Sequence, residues 1–192
     1  MPKTDPAREA LLTALEASGV SIPLWDGILI EETVRIAPGA TILPGCILRG
    51  NTTIAAGSVI GPGSVLTDAV IGKNCIVKNT YITESTLEEN VSIGPFSQVR
   101  PGCHIAAGCK IGDFVEVKNS HIGQKTAIAH LTYVGDTDCG SGVNFGCGVA
   151  IANFNGKEKF RTTIGDGAFL GCNTNLVAPV TIGAGAYTAA GA

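Results

Sequence analysis

The chain is poor in aromatics, poor in charge and free of long apolar runs. Of its 192 residues, 5% are aromatic and 15% are charged. No apolar stretch approaches the ~18 residues that a membrane helix requires. The positive mean hydropathy of +0.31 comes instead from recurring Ile and Val. The first residues are polar and do not read as a signal peptide. A formal net charge of −3 gives no electrostatic footprint for nucleic acid. No C-x-x-C pair occurs among the seven cysteines, Cys46, Cys75, Cys103, Cys109, Cys139, Cys147 and Cys172. Their odd number and spacing argue against a disulfide framework and for reduced thiols in a cytoplasmic protein. Several fall at inward or corner positions, where free cysteine acts as a small hydrophobe.

What the chain does have is a period. From Ile30, an aliphatic residue returns every sixth position at Ile36, Ile42, Leu48, Ile54, Ile60 and Leu66. The step resumes at Ile93, Val99, Ile105, Ile111 and Val117, and again at Ile164, Leu170, Leu176 and Ile182. Six matches neither a lone helix at ~3.6 nor an alternating strand at ~2. It is the step of a solenoid whose short strands stack coil on coil. Three six-residue units make a triangular coil of about 18 residues, so Ile30 onward predicts roughly nine coils. Glycine follows the inward residue at Ile60-Gly61, Ile71-Gly72, Ile93-Gly94, Ile111-Gly112, Ile122-Gly123, Ile164-Gly165 and Ile182-Gly183. Positive φ at a sharp corner is the expected reason. Pro-Gly at 38–39, 44–45, 62–63 and 101–102 marks the other corners. One uniform core implies a single repeat domain over residues 21–192, preceded by a helix and lead-in over 1–20.

That helix is predicted over residues 5–18. Asp5 is the candidate N-cap, Pro6 suits the first turn, and Gly19 can close the end. Leu11, Leu12 and Leu15 form one apolar stripe. A helix this short needs a packing partner, either the solenoid or a neighbouring subunit. Two further segments read as departures from the cadence. One lies between Ala129 and Val134 and holds His130 and Tyr133. The other, between Ala152 and Thr163, contains Asn153-Phe154-Asn155-Gly156-Lys157-Glu158-Lys159 and predicts a loop pushed out of the wall. Departures from local consistency are where function tends to sit.

The motifs in this half carry a resemblance. They are Arg100-Pro101-Gly102, Ile111-Gly112-Asp113-Phe114-Val115-Glu116-Val117-Lys118, Ala129-His130-Leu131-Thr132-Tyr133-Val134-Gly135-Asp136 and Gly142-Val143-Asn144. Ala152-Asn153-Phe154-Asn155-Gly156, Lys159-Phe160, Thr163-Ile164-Gly165-Asp166 and Leu176-Val177-Ala178-Pro179-Val180 continue the run. Together they resemble the acetyltransferase domain of bacterial bifunctional N-acetylglucosamine-1-phosphate uridyltransferase/glucosamine-1-phosphate acetyltransferase, nearly continuously from Ile93 to Gly191. The resemblance implies an all-β fold, a left-handed parallel β-helix with a short N-terminal α-helix. It also implies a homotrimer with clefts between neighbouring prisms.

The implied activity, in the supply of UDP-N-acetylglucosamine for cell-wall precursors, is transfer of acetyl from acetyl-CoA to the 2-amino group of glucosamine 1-phosphate. By resemblance His130 is the base, a role that suits imidazole. Arg100 and Lys118 would hold the sugar phosphate, one as a planar fork and one as a point charge. Tyr133, Asn144 and Lys159 would bind the sugar. Asn153 and Phe154 would line the acetyl-CoA path, with Cys147, Cys172 and Ala190 on the coenzyme wall. No metal, nucleic-acid partner or membrane is expected.

Some positions differ from the family pattern. Cys172 stands for its usual small hydroxyl, Cys147 for its alanine, and Phe154 for its tyrosine. These changes alter hydrogen bonding on the coenzyme side and leave the sugar side intact. Uridyl transfer is not expected from this chain, because no nucleotidyltransferase half or Gly-rich nucleotide loop precedes the solenoid. Residues beyond Ala192 are expected to complete the coenzyme site. Other readings are an acyltransferase acting on another amino sugar or nucleotide sugar, and an assembly module without catalysis. A solenoid metalloenzyme such as a γ-class carbonic anhydrase needs three histidines on one zinc, and the only histidines are His104, His121 and His130.

Overall fold

The computed structural model describes residues 5–192; the polar lead-in at 1–4 lies outside the described residues. Short strands, each of two to four residues, wind into three flat faces of nine, nine and eight strands. The first face runs from Leu29–Ile30 to Asn175–Val177, the second from Arg35–Ile36 to Val180–Ile182, and the third from Thr41–Ile42 to Phe169–Leu170. Every strand pairs in parallel with its equivalent one coil on: Ile42 with Ile60, Leu48 with Leu66, Ile105 with Ile122. The result is a parallel β-solenoid of about nine turns with one short helix, the left-handed parallel β-helix expected from the sequence.

The six-residue step is the inward column. Ile42, Leu48, Ile60, Leu66, Ile105, Val117 and Leu170 are fully buried. Ile30 and Ile36 pack against this core but keep some exposure, because they belong to the first coil. Between Leu66 and Ile93 the inward residues are Ile71, Val77, Ile82 and Leu87, so the period shortens to five at some corners without losing the column. The expected break between Ala129 and Val134 is absent. Ile128 and Val134 are one six-residue step apart, both fully buried and both in register with the coil below. The break between Ala152 and Thr163 is real: the chain leaves the wall after Ala152 and rejoins at Thr162–Ile164, with Phe154 and Lys159 bridging the protruding loop.

The corner glycines have two separate causes. Those after proline turn left-handed, with φ of +83° at Gly39 and +79° at Gly102, as the sequence predicts. Among those after the inward isoleucine, only Gly61 and Gly94 have positive φ. At Gly112 the reason is space. A Cβ there would strike the Ala129 carbonyl oxygen and sit 3.2 Å from Ala129 Cα, in the backbone of the coil above. Just before the strands, small hydroxyls stitch coil to coil. Ser58 Oγ donates to Gly72 O at 2.7 Å and accepts from Cys75 N at 3.0 Å. Ser85 does the same with Arg100 O (2.9 Å) and Cys103 N (3.1 Å), and Thr126 with Gly140 O (3.0 Å) and Val143 N (3.2 Å). A buried hydroxyl is tolerated when it is paired in this way.

The helix spans Pro6–Ala17. Asp5 caps it, accepting from Ala7 N at 3.1 Å and Arg8 N at 3.3 Å, and Gly19 closes it at φ +97°. It packs on the solenoid. Leu12 is fully buried and Leu15 touches the core. Arg8 donates to the carbonyls of Ile28 (2.8 Å) and Trp25. The helix thus lies over the open edge of the first coil. Truncating Leu12 to Ala is expected to destabilise the fold by about 2–5 kcal/mol. A fall in the urea midpoint checks this; an unchanged midpoint would mean the helix contributes nothing to the stack.

Candidate active site

Stacking brings together residues that the linear sequence separates by one coil. Asp113 and His130 are register partners on the third face, 17 positions apart, and His130 Nδ1 lies 2.7 Å from Asp113 Oδ1. This hydrogen bond holds the Asp113 carboxyl below its usual range. An ionised carboxylate can only accept, so Nδ1 must be the donor, and in the neutral ring Nε2 then carries the free lone pair. The imidazole is more than half exposed, which leaves that nitrogen open to a ligand.

The same register continues upward. Ile128 pairs with Phe145, and Phe145 with Leu170. Two residues further along the chain, at the corner where Cys147 and Cys172 open turns, His130, Cys147 and Cys172 fall in one column. The corner bonds carry it on: Gly148 N to His130 O (3.4 Å), Asn173 N to Cys147 O (2.8 Å) and Gly191 N to Cys172 O (2.8 Å). Asp113, His130, Cys147, Cys172 and Ala190 therefore line one outward edge of the prism, between the third face and the first. Asn144 is on the strand leading to Cys147, three residues short of that corner. Beside the column, Phe96, Phe114 and Leu131 sit at φ of 57°, 55° and 46° and are exposed. The two Phe rings stack with centroids 5.5 Å apart. Positive φ is unusual for such bulky side chains.

A second cluster occupies the other end of the first face. Asp136 is almost wholly buried at this corner. Its carboxylate accepts from Asn119 Nδ2 at 2.5 Å and from Asn153 Nδ2, and lies 3.5 Å from Lys118 Nζ. Burial works to raise its pKa, but these hydrogen bonds and the Lys118 charge prevail and hold it low. Lys159, on the protruding loop, is lowered chiefly by Lys118, with Arg100 adding to the effect. Three cations thus converge. Arg100 is meanwhile paired with Glu116 at 2.8 Å, so the five groups carry three positive and two negative charges, a net of +1. Tyr133 shares a rung with Glu116. A Cβ on Gly135 would meet the Tyr133 hydroxyl and lie 2.7 Å from Asn153 Nδ2, so these side chains crowd one patch of wall.

Of the expected residues, the structure groups Arg100, Lys118, Tyr133, Asn153 and Lys159 at one corner, and His130, Cys147, Cys172 and Ala190 at the other. Phe154 is exposed on the loop. Asp113 and Asp136 escaped the sequence reading as site residues. The available signal was the coil length: Asp113 to His130, Asn119 to Asp136 and Asp136 to Asn153 are each 17 positions apart. His104 and His121 lie on the second face, bound to Glu88 (2.8 Å) and Asp138 (3.0 Å). Among the described residues, no cluster of three metal-ligating side chains occurs.

Comparison with known proteins places this geometry in context. Residues 84–119 match the bacterial transferase hexapeptide (six repeats) family. The chain is 57% identical over 105 residues to the Bifunctional protein GlmU of Brevibacillus brevis, which is 55% of this chain and 23% of that protein. It is 55% identical over 106 residues to the Bifunctional protein GlmU of Clostridium kluyveri, again 55% of this chain and 23% of that protein. The chain thus spans about a quarter of the length of these curated relatives. Among solved structures, Francisella novicida UDP-N-acetylglucosamine acyltransferase aligns over 86% of this chain and 60% of its own, at 20% identity and a TM-score of 0.48.

Because the folded carboxyl of Asp136 ionises below its ordinary value, it adds stability above about pH 3.9 and loses it as pH falls through the folded value. Wild-type urea midpoints should therefore drop on acidification below about pH 4. Asp136→Asn should be less stable at neutral pH and show a flatter acid limb. Parallel pH profiles for the two proteins would refute a stabilising charge at Asp136.

Proposed function

We propose that the chain transfers acetyl from acetyl-CoA to the 2-amino group of glucosamine 1-phosphate. The observation that carries this reading is the Asp113-held imidazole of His130, with Nε2 open, beside a wall on which Arg100, Lys118 and Lys159 converge. A phosphate dianion suits that cation cluster. It would compete with Glu116 for Arg100 and leave the Lys118–Asp136 pair as the anchor. Tyr133 would lie against the sugar, and Asn144, on the third face beside the His130 strand, would reach it from the His130 side. His130 Nε2 would take a proton from the amine, the nitrogen would attack the thioester carbonyl, and coenzyme A would leave as the thiolate. Cys147, Cys172 and Ala190 form the edge on which the thioester end of the coenzyme would lie. Alignment of amine and thioester in one cleft supplies much of the rate gain in such a reaction.

The same reading includes a homotrimer. Asn153, Phe154 and Lys159 stand at the opposite corner from His130, a strand of roughly 10 Å away. The loop at 153–161 of a second prism, set against the His130 edge of the first, would complete a cleft. The exposed Phe96–Phe114–Leu131 ladder beside His130 supplies apolar surface for such a contact. No helix of the described residues is long and apolar enough to cross a membrane, in keeping with a cytoplasmic site for the reaction.

Thiol release from acetyl-CoA is expected to depend on glucosamine 1-phosphate. His130→Ala should lower turnover by about 10²–10⁴-fold, the usual worth of a positioned base, with oligomeric state unchanged. Activity within a few-fold of wild type would remove His130 from that role. Arg100→Ala should raise KM for the sugar phosphate more than KM for acetyl-CoA; equal effects on both would argue against phosphate binding. Turnover only with other amino-sugar acceptors would keep the acyl transfer and reject this substrate.

A further inference from the structure

Five of the seven thiols are sealed in the wall, and two are not. Cys46, Cys75, Cys103, Cys109 and Cys139 are buried. Burial pushes the thiol of Cys139 up to about 12 and raises the other four as well, so they offer almost no thiolate at neutral pH. Cys147 is half-buried and Cys172 is exposed. They are also neighbours. The paired strands Asn144–Phe145 and Phe169–Leu170 end two residues before them, and Cys147 and Cys172 open equivalent turns one coil apart, with Gly146 N donating to Leu170 O at 2.7 Å just ahead of them. The bond from Asn173 N to Cys147 O (2.8 Å) holds them level at the corner, with both side chains on the outer surface.

Adjacent rungs of a parallel stack are about 4.8 Å apart, and a disulfide forms between α-carbons roughly 4.4–6.8 Å apart. Backbone bonds on both sides of the pair, Gly146 N to Leu170 O and Asn173 N to Cys147 O, set that spacing between the stacked turns, so only a small local adjustment is needed to close the bond. We propose that Cys147 and Cys172 are a redox-sensitive thiol pair, converted to a reversible disulfide by a low-molecular-weight disulfide. The thiolate of Cys172, the more exposed of the two, attacks one sulfur of the oxidant RSSR. This forms a mixed disulfide and releases the first RS⁻. The Cys147 thiolate then attacks the Cys172 sulfur, closing the internal bond and releasing the second RS⁻. The two protein thiols lose two electrons and two protons, and RSSR becomes two RSH. Each step needs only the exposure and adjacency described here.

The pair stands directly above His130 in the same column. On the acetyltransferase reading, on which this part of the inference rests, closure stiffens the edge that receives the thioester, and bound coenzyme should shield the thiols.

The test is oxidised glutathione added to the native, fully reduced protein, followed by alkylation, peptide mapping and mass measurement. The expected product has lost two hydrogens, carries a Cys147–Cys172 crosslink, and keeps five alkylatable thiols out of the seven in the chain. Reduction by dithiothreitol should restore all of them. Cys147→Ser and Cys172→Ser should each fail to crosslink, and Cys147→Ser should retain one glutathione on Cys172. Glutathione retained on wild-type Cys172, a crosslink elsewhere, or no reaction at these two residues in the folded protein would each overturn the proposal. Acetyl-CoA should slow the crosslinking. If the crosslink forms at the same rate with saturating acetyl-CoA, the pair stands as a redox site and the coenzyme edge is wrongly assigned.

Discussion

Everything in this molecule depends on the vertical spacing of parallel strands. Because each coil hydrogen-bonds to the next at about 4.8 Å, every inward side chain rests on its equivalent, and so does every outward one. The inner columns of Ile, Leu and Val supply apolar burial. The corner hydroxyls satisfy backbone groups that would otherwise be stranded in the core. The outer columns are free to carry chemistry, and their spacing is as regular as that of the core. The candidate site residues are therefore positioned by the same register that buries Ile128 and Val134.

The fold was legible in the chain because burial repeats directly as sequence. The inward aliphatics and the capped helix from Pro6 to Ala17 could be read residue by residue. The corners were less legible. Coils are 16 to 18 residues long according to how many corners are shortened, and 25 where the loop intervenes, whereas around His130 the six-residue step from Ile128 to Val134 is kept and the expected break does not occur. The glycine after an inward isoleucine also has a cause that no local rule contains. At Gly112 the obstacle is Ala129, which belongs to the coil above.

The site was partly legible for a related reason. Motif resemblance named side chains in chain order, whereas the solenoid sorts them by face. Residues six apart stand on different faces, and residues 16 to 18 apart, or 25 across the protruding loop, stand in one column. Thus His130 acquires Asp113 beneath it and Cys147 above it, neither of them nearby in sequence. Asp136 is the more instructive case. Taken alone it is one more corner residue of positive φ. In the stack it is a nearly buried carboxylate whose partners, Asn119 and Asn153, come from the coil on either side. It ties the cation-bearing wall to the base of the protruding loop.

The helix that covers the first coil has a consequence for how the chain reaches this state. It bonds to the carbonyls of Trp25 and Ile28, and Gly19 just past its end accepts from Gly39 N at 2.8 Å, all within the first coil and the lead-in to it. Each later coil needs only the 16 to 18 residues before it, or 25 across the protruding loop, as a template. The stack can thus be wound from the amino-terminal end while the chain is still being synthesised, each turn settling on a finished floor. The partners of such a turn are always the most recently folded residues. A long parallel sheet, ordinarily slow because its strands meet across large sequence gaps, is reduced here to repeated short-range closures.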